Sequence, residues 1–168
     1  MGKEDFLLAY KDKFYRFALR MTNDEFDAED IMQELAIKIW QMGDDFDKIE
    51  NKEAWCMSVT RNLAIDKIRD RKRKSTDSIE TAIYTESSDE TSPQKQLENN
   101  DLLANLKKLI DSMPENHKTV IQLREIEEMS YKEIADVMDT DIQNVKVTLF
   151  RARKVLQQLL IESKLKLN

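Results

Sequence analysis

The stretch Ser130-Tyr131-Lys132-Glu133-Ile134-Ala135-Asp136-Val137-Met138-Asp139-Thr140-Asp141-Ile142-Gln143-Asn144-Val145-Lys146 decides the fold. Ser130 followed by Glu133, and Thr140 followed by Gln143, each fit the capping box, in which two side chains reciprocally satisfy orphan helix N–H groups. Ser112 followed by Glu115 gives the same signal upstream, so three short helices are predicted. Only Asp139, Thr140 and Asp141 separate Met138 from Ile142, which leaves room for nothing but the tight turn of a helix-turn-helix. The helix after that turn carries Lys146, Arg151, Arg153 and Lys154 for phosphates and guanine edges. Val145, Leu149 and Phe150 are its expected anchors to the core.

Composition extends the helical reading to the whole chain. Its 168 residues, 40% hydrophobic and 36% charged, suffice for one domain or two small ones. Two glycines (Gly2, Gly43) and two prolines (Pro93, Pro114) leave little material for β-turns, so an all-α protein is expected. The single cysteine, Cys56, excludes an intrachain disulfide and fits a reducing compartment. No stretch reads as a signal peptide or a membrane span, and a cytoplasmic location is expected.

The formal charge of −6 is at odds with nucleic-acid binding until it is mapped along the chain. Asp24 to Glu34 holds six acids and no base, whereas Arg61 to Lys74 has a balance of +5. Ser75 to Asn100 returns to −5 and Asp141 to Lys154 to +3. Two basic surfaces are thus separated by an acidic, Ser/Thr-rich connector containing Pro93, which reads as a flexible linker. The expected organisation is two small helical domains, 1–74 and 101–168, joined by a linker over 75–100, the second domain being the helix-turn-helix.

In the first domain Phe6, Tyr10, Phe14, Phe17 and Met21 recur at helical spacing and form one aromatic face. A second helix after Thr22-Asn23-Asp24 places Ala28, Ile31, Leu35 and Ile39 on one side and stops at Gly43. Asp27, Asp30 and Glu34, three and four residues apart, share another face suited to a basic partner helix. A third helix is expected from near Asn51 through Trp55, Val59, Leu63 and Ile68 into the basic block. Trp55 suits a base stack, but in line with Val59 and Leu63 it fits the core at least as well and is not counted among the site residues.

Two further function classes can be weighed on these residues. A free-standing transcription regulator accounts for the helix-turn-helix but not for an acidic helix followed by a second basic one. A carboxylate di-metal enzyme needs Glu-x-x-His pairs. The only histidine, His117, lies in a polar Pro-Glu-Asn-His-Lys stretch. No Gly-rich phosphate loop or nucleophile and base pair is evident. No catalytic residue, metal or cofactor is expected.

The segment Asp27-Ala28-Glu29-Asp30-Ile31-Met32-Gln33-Glu34, then Trp40, Ala54-Trp55 and Arg61-Asn62-Leu63-Ala64-Ile65-Asp66, resembles region two of the extracytoplasmic-function (ECF) group of bacterial RNA polymerase sigma factors. Met113-Pro114-Glu115, Ser130 to Ala135, Val145-Lys146 and Phe150 to Arg153 are similar to region four of that group. The resemblance implies that Asp27, Asp30, Gln33 and Glu34 dock on core RNA polymerase. It assigns Phe46, Asp47 and Lys48 of a loop, with Arg61, Asn62, Lys67 and Arg69 of the following helix, to the melted minus-ten element of promoter DNA. It assigns Lys146, Val147, Thr148, Arg151 and Arg153 to the duplex minus-thirty-five element, and it adds an anti-sigma factor to the expected partners. Asp139 stands where the family usually has glycine, and Val147 and Thr148 stand where a hydroxyl residue and a basic residue are common.

Overall fold

The computed structural model describes residues 2–77 and 97–166. Among the described residues the regular structure is entirely helical: α1 (Lys3–Thr22), α2 (Glu25–Met42), a 3-10 segment (Gly43–Lys48), α3 (Lys52–Asp77), α4 (Leu97–Asp111), α5 (Glu115–Ile121), a π segment (Gln122–Ile126), α6 (Tyr131–Met138) and α7 (Ile142–Lys166). Two compact units form: one holds α1, α2 and α3 together with residues 132–141, the other the remaining described residues. Most of the expected linker lies outside the described residues; its two edges are helical, being the end of α3 and the start of α4.

In the first unit α1, α2 and α3 pack pairwise. α1 ends where Asn23 enters the left-handed region (φ 53°) and its N–H donates to Leu19 O at 2.7 Å, a role Asn fills at modest cost. One residue later Asp24 caps α2, its carboxylate accepting from the Asp27 N–H at 2.9 Å. Gly43 stops α2 with φ 58°, and Asn51 caps α3 by accepting from the Ala54 N–H at 3.0 Å. The apolar stripes meet as the periodicity requires: Phe14, Phe17, Ala28, Ile31, Leu35, Met57 and Ala64 are fully buried. Tyr10 stacks between Phe6 (4.7 Å) and Phe14 (5.9 Å), completing the aromatic face. Buried Cys56 packs as a small apolar group, its thiol pushed up to about 12 by burial and then by Glu53.

Because Phe14 has no exposed surface, Phe14→Ala is expected to cost about 3–5 kcal/mol. Trp40 and Trp55, the only tryptophans, both report on this unit. The expected result is a large drop in the urea midpoint followed by tryptophan fluorescence; an unchanged midpoint would remove Phe14 from the core.

In the second unit α5 and α4 pack on α7, and Val120, Ile121, Leu123, Val145, Leu149 and Ala152 are buried. Three expectations change here. Ser112 does not cap α5: its hydroxyl donates to Leu109 O at 2.7 Å, and Pro114 precedes the first helical residue. Proline disfavours helical geometry in the residue before it, so the helix cannot start earlier. Phe150, an expected anchor, is 59% exposed and lies under the Lys154 ammonium at 4.6 Å, while Ala152 takes the core position. α7 is also far from short, running 25 residues.

Candidate functional site

The acidic helix α2 presents two surfaces. On one, Asp27 and Asp30 face α3: Arg71 Nη2 lies 2.6 Å from Asp24 and 2.6 Å from Asp27, and Lys67 Nζ lies 3.4 Å from Asp30. α2 and α3 therefore run antiparallel, the start of the first beside the end of the second. Backbone donation from Asp27, and then the Arg71 guanidinium, hold the Asp24 carboxyl below the usual carboxylate range. A depressed folded value contributes stability that is full above the unfolded carboxylate pKa, about 3.9, and is lost as pH falls through the folded value. Acidification from neutral pH is thus expected to lower the melting temperature of the wild-type chain more than that of Asp24→Asn. Equal losses in the two proteins would show that Asp24 carries none of the dependence.

The other surface of α2 holds functional candidates that composition alone did not single out. Phe26 (80% exposed), Ile37 (53%) and Trp40 (56%) fall with Gln33 along one helical stripe, beside Asp30 and Glu34. Large apolar side chains at such exposure on an otherwise charged helix mark an interaction face. Their spacing was legible in the sequence, since 26, 33, 37 and 40 lie on one stripe outside the core positions.

On α3, Asn62, Asp66, Arg69 and Arg73 recur at i, i+4, i+7 and i+11 and are all exposed. Lys67 is turned instead toward Asp30. Arg61 is half-buried, with Nη1 at 3.5 Å from Asn62 Oδ1. A cleft of about 430 Å³ opens between the end of α2 and α3, lined by Lys38, Gln41, Met42, Trp55, Asn62 and Asp66 among others. Its volume lies in the range of small-molecule sites, about 300–1,000 Å³. Phe46, expected in the base-contacting loop, has no exposed surface; its ring packs against Phe6 (5.6 Å) and Trp55 (5.9 Å). No ring face is left for a base, so Phe46 supports the loop from within while Asp47 and Lys48 remain exposed.

α6 ends in a left-handed turn at Asp139 (φ 52°), closed by the Thr140 N–H donating to Ala135 O at 2.9 Å. This six-to-one bond is the Schellman arrangement, and Asp takes the position that glycine more often fills. On α7, opposite the stripe Val145, Leu149 and Ala152, lie Gln143, Val147, Arg151 and Lys154. Lys146 and Thr148 flank them, with Lys146 Nζ 5.8 Å from the Tyr131 ring centroid and Thr148 Oγ1 3.4 Å from Asn144 Oδ1. Arg153 is turned away, its Nε donating to Glu125 at 2.9 Å. Gln143 and Asn144, exposed at the start of the helix, are further candidates that carry no charge and so leave no mark on the charge pattern. Their amides suit adenine edges. Among the described residues no three His, Cys, Asp or Glu side chains gather as a metal site, and no helix is long and apolar enough to cross a membrane.

Comparison with known proteins gives this arrangement its class. Sigma-70 region 2 matches residues 6–74 and sigma-70 region 4 matches residues 103–156, which defines a sigma-70-type transcription factor. The chain is 30% identical to the ECF RNA polymerase sigma factor SigW of Bacillus subtilis, over 92% of this chain and 86% of that protein. It is 31% identical to ECF sigma factor SigM of the same organism, over 89% and 90%. The sigma factor RpoE of Bartonella quintana, solved in complex with the anti-sigma factor NepR, superposes with a TM-score of 0.72 at 26% identity, covering 94% of this chain and 95% of that one. The chain belongs to the ECF group of RNA polymerase sigma factors. Its function is promoter-specific initiation of transcription.

Proposed function

We propose that residues 1–74 dock on core RNA polymerase and hold the melted minus-ten element, that residues 101–168 read the minus-thirty-five element, and that 75–100 connect them. The observation that carries the docking half is the exposed stripe of α2, where Phe26, Ile37 and Trp40 lie beside Asp30, Gln33 and Glu34. An apolar core edged by carboxylates suits a basic amphipathic helix of the polymerase, the charges setting register and the rings supplying affinity.

On the DNA side, Arg61 and Arg69 contact phosphate, Asn62 pairs with a base edge, and Asp47 and Lys48 line the approach. The cleft beside Trp55 and Asn62 receives a base extruded from the melted strand. On α7, Arg151 takes a guanine edge, Val147 a thymine methyl, and Lys146 and Thr148 backbone phosphate. The chain itself catalyses nothing: it contributes binding and strand-separation energy to the polymerase, in the cytoplasm. The NepR complex of the RpoE relative supports adding an anti-sigma factor to the partners.

Run-off transcription with purified bacterial core polymerase on a genomic promoter library, with and without the chain, tests this reading. Initiation at discrete sites sharing two spaced sequence blocks is expected. Tight duplex binding with neither core association nor any new start would make the chain a free-standing regulator instead.

A further inference from the structure

The acid row of α2 and the base row of α3 occupy each other. Lys67 and Arg71 are the cations of the basic block that lie against Asp30 and against Asp24 and Asp27, respectively. A polymerase cation approaching Asp27 or Asp30 and a DNA phosphate approaching Lys67 or Arg71 must therefore displace the same ion pairs. Arg71 is held most firmly, its guanidinium bridging two carboxylates, one of which is the α2 cap. Asn62, Arg69 and Arg73 lie on a different row and take no part in these pairs.

We propose that Arg71 and Lys67 form a charge clamp that couples the docking helix to the DNA helix: Asp24, Asp27 and Asp30 stand in for phosphate in the free chain, and engagement of Asp27 and Asp30 by polymerase loosens these pairs and releases both cations to the melted strand. The inference rests on the assignment of α2 to polymerase and α3 to DNA. Its physical content is linkage. The first ligand breaks the pairs, the second meets groups already freed, and the coupling is positive in both directions. Arginine suits such a bridge because its Nη2 carries two N–H groups, one for each carboxylate, on a side chain that stays charged.

The experiment is a double-mutant cycle on the full chain, without polymerase, read as affinity for a fluorescent single-stranded oligodeoxynucleotide at low salt. Asp24→Asn keeps a competent helix cap while removing the phosphate mimic. It is expected to tighten binding by about threefold, the order of one partly exposed ion pair. In an Arg71→Ala background the same substitution is expected to change affinity by less than about 1.5-fold, because its partner is gone. Asp27→Asn, which has no capping role, should repeat the pattern, so that loss of the α2 cap is not mistaken for loss of the clamp. An equal gain in both backgrounds would mean that Asp24 acts only through its long-range field, and no gain in either would mean that the pairs do not compete with phosphate. Either result overturns the clamp. The cycle uses no polymerase, so a wild-type chain that fails to direct initiation would count against the docking assignment alone.

Discussion

Trp40→Ala is expected to weaken association with core polymerase by about thirtyfold or more while leaving the chain folded. Buried tryptophans at the centre of protein interfaces are the most frequent hot spots, with truncation costing about 2 kcal/mol or more, and about 1.4 kcal/mol is a factor of ten. The fold is spared because Trp40 is 56% exposed in the free chain and lies outside the stripe of Ile31, Leu35 and Ile39 that closes the core. Glu34→Gln is expected to act differently. A charge near the edge of an interface mainly changes the association rate and its salt dependence. Binding of labelled core enzyme, measured as separate on- and off-rates, resolves the two effects: Trp40→Ala raises the off-rate, Glu34→Gln lowers the on-rate. If Trp40→Ala left the off-rate untouched, the exposed stripe of α2 would not be the docking face, whatever the behaviour of the acids.

The contrast between these two side chains reflects how the chain could be read. Helix existence in the first unit followed from periodicity, because Phe6, Phe14, Phe17, Ala28, Ile31 and Leu35 lie where a 3.6-residue period demands and are buried there. Helix ends at Asn23, Gly43 and Asn51 were legible because capping is local chemistry. Partnership across helices was not. A block of like charge gives the sign of a surface but not its neighbour, so nothing in the basic block singles out Lys67 as the residue that lies beside Asp30. Phe46 misled for the opposite reason: Gly43-Asp44-Asp45-Phe46-Asp47-Lys48 reads as a polar loop. The 3-10 turn nonetheless carries its one aromatic ring inward, where burial of a phenylalanine outweighs the loop's polarity. On α7, the pattern Val155, Leu156, Leu159 and Leu160 with no glycine or proline was a usable signal for a long helix. Capping boxes mark where helices start and carry no signal of where they stop.

Arg151→Ala is expected to cost about 1–3 kcal/mol in upstream-element recognition, about fivefold to 150-fold in affinity, whereas Arg153→Ala should leave sequence preference unchanged. The two arginines are indistinguishable by composition and differ in placement. Arg151 is exposed opposite the buried stripe Val145, Leu149 and Ala152, aligned with Gln143 and Val147, so a helix lying in a major groove presents it to the base edges. Arg153 is committed to Glu125, with Nε at 2.9 Å, and both side chains are about half exposed. Removing it forfeits a surface pair worth about 0.2–1 kcal/mol to stability and takes little from the DNA. Competition binding against a set of duplexes with each upstream base varied separates the outcomes. A guanine reader loses affinity for its own site and becomes indifferent at one position, whereas a phosphate contact loses equally on every sequence and reduces the salt slope by about one. Uniform weakening by Arg151→Ala would therefore move specificity to Gln143 and Asn144, the amides exposed at the start of the same helix.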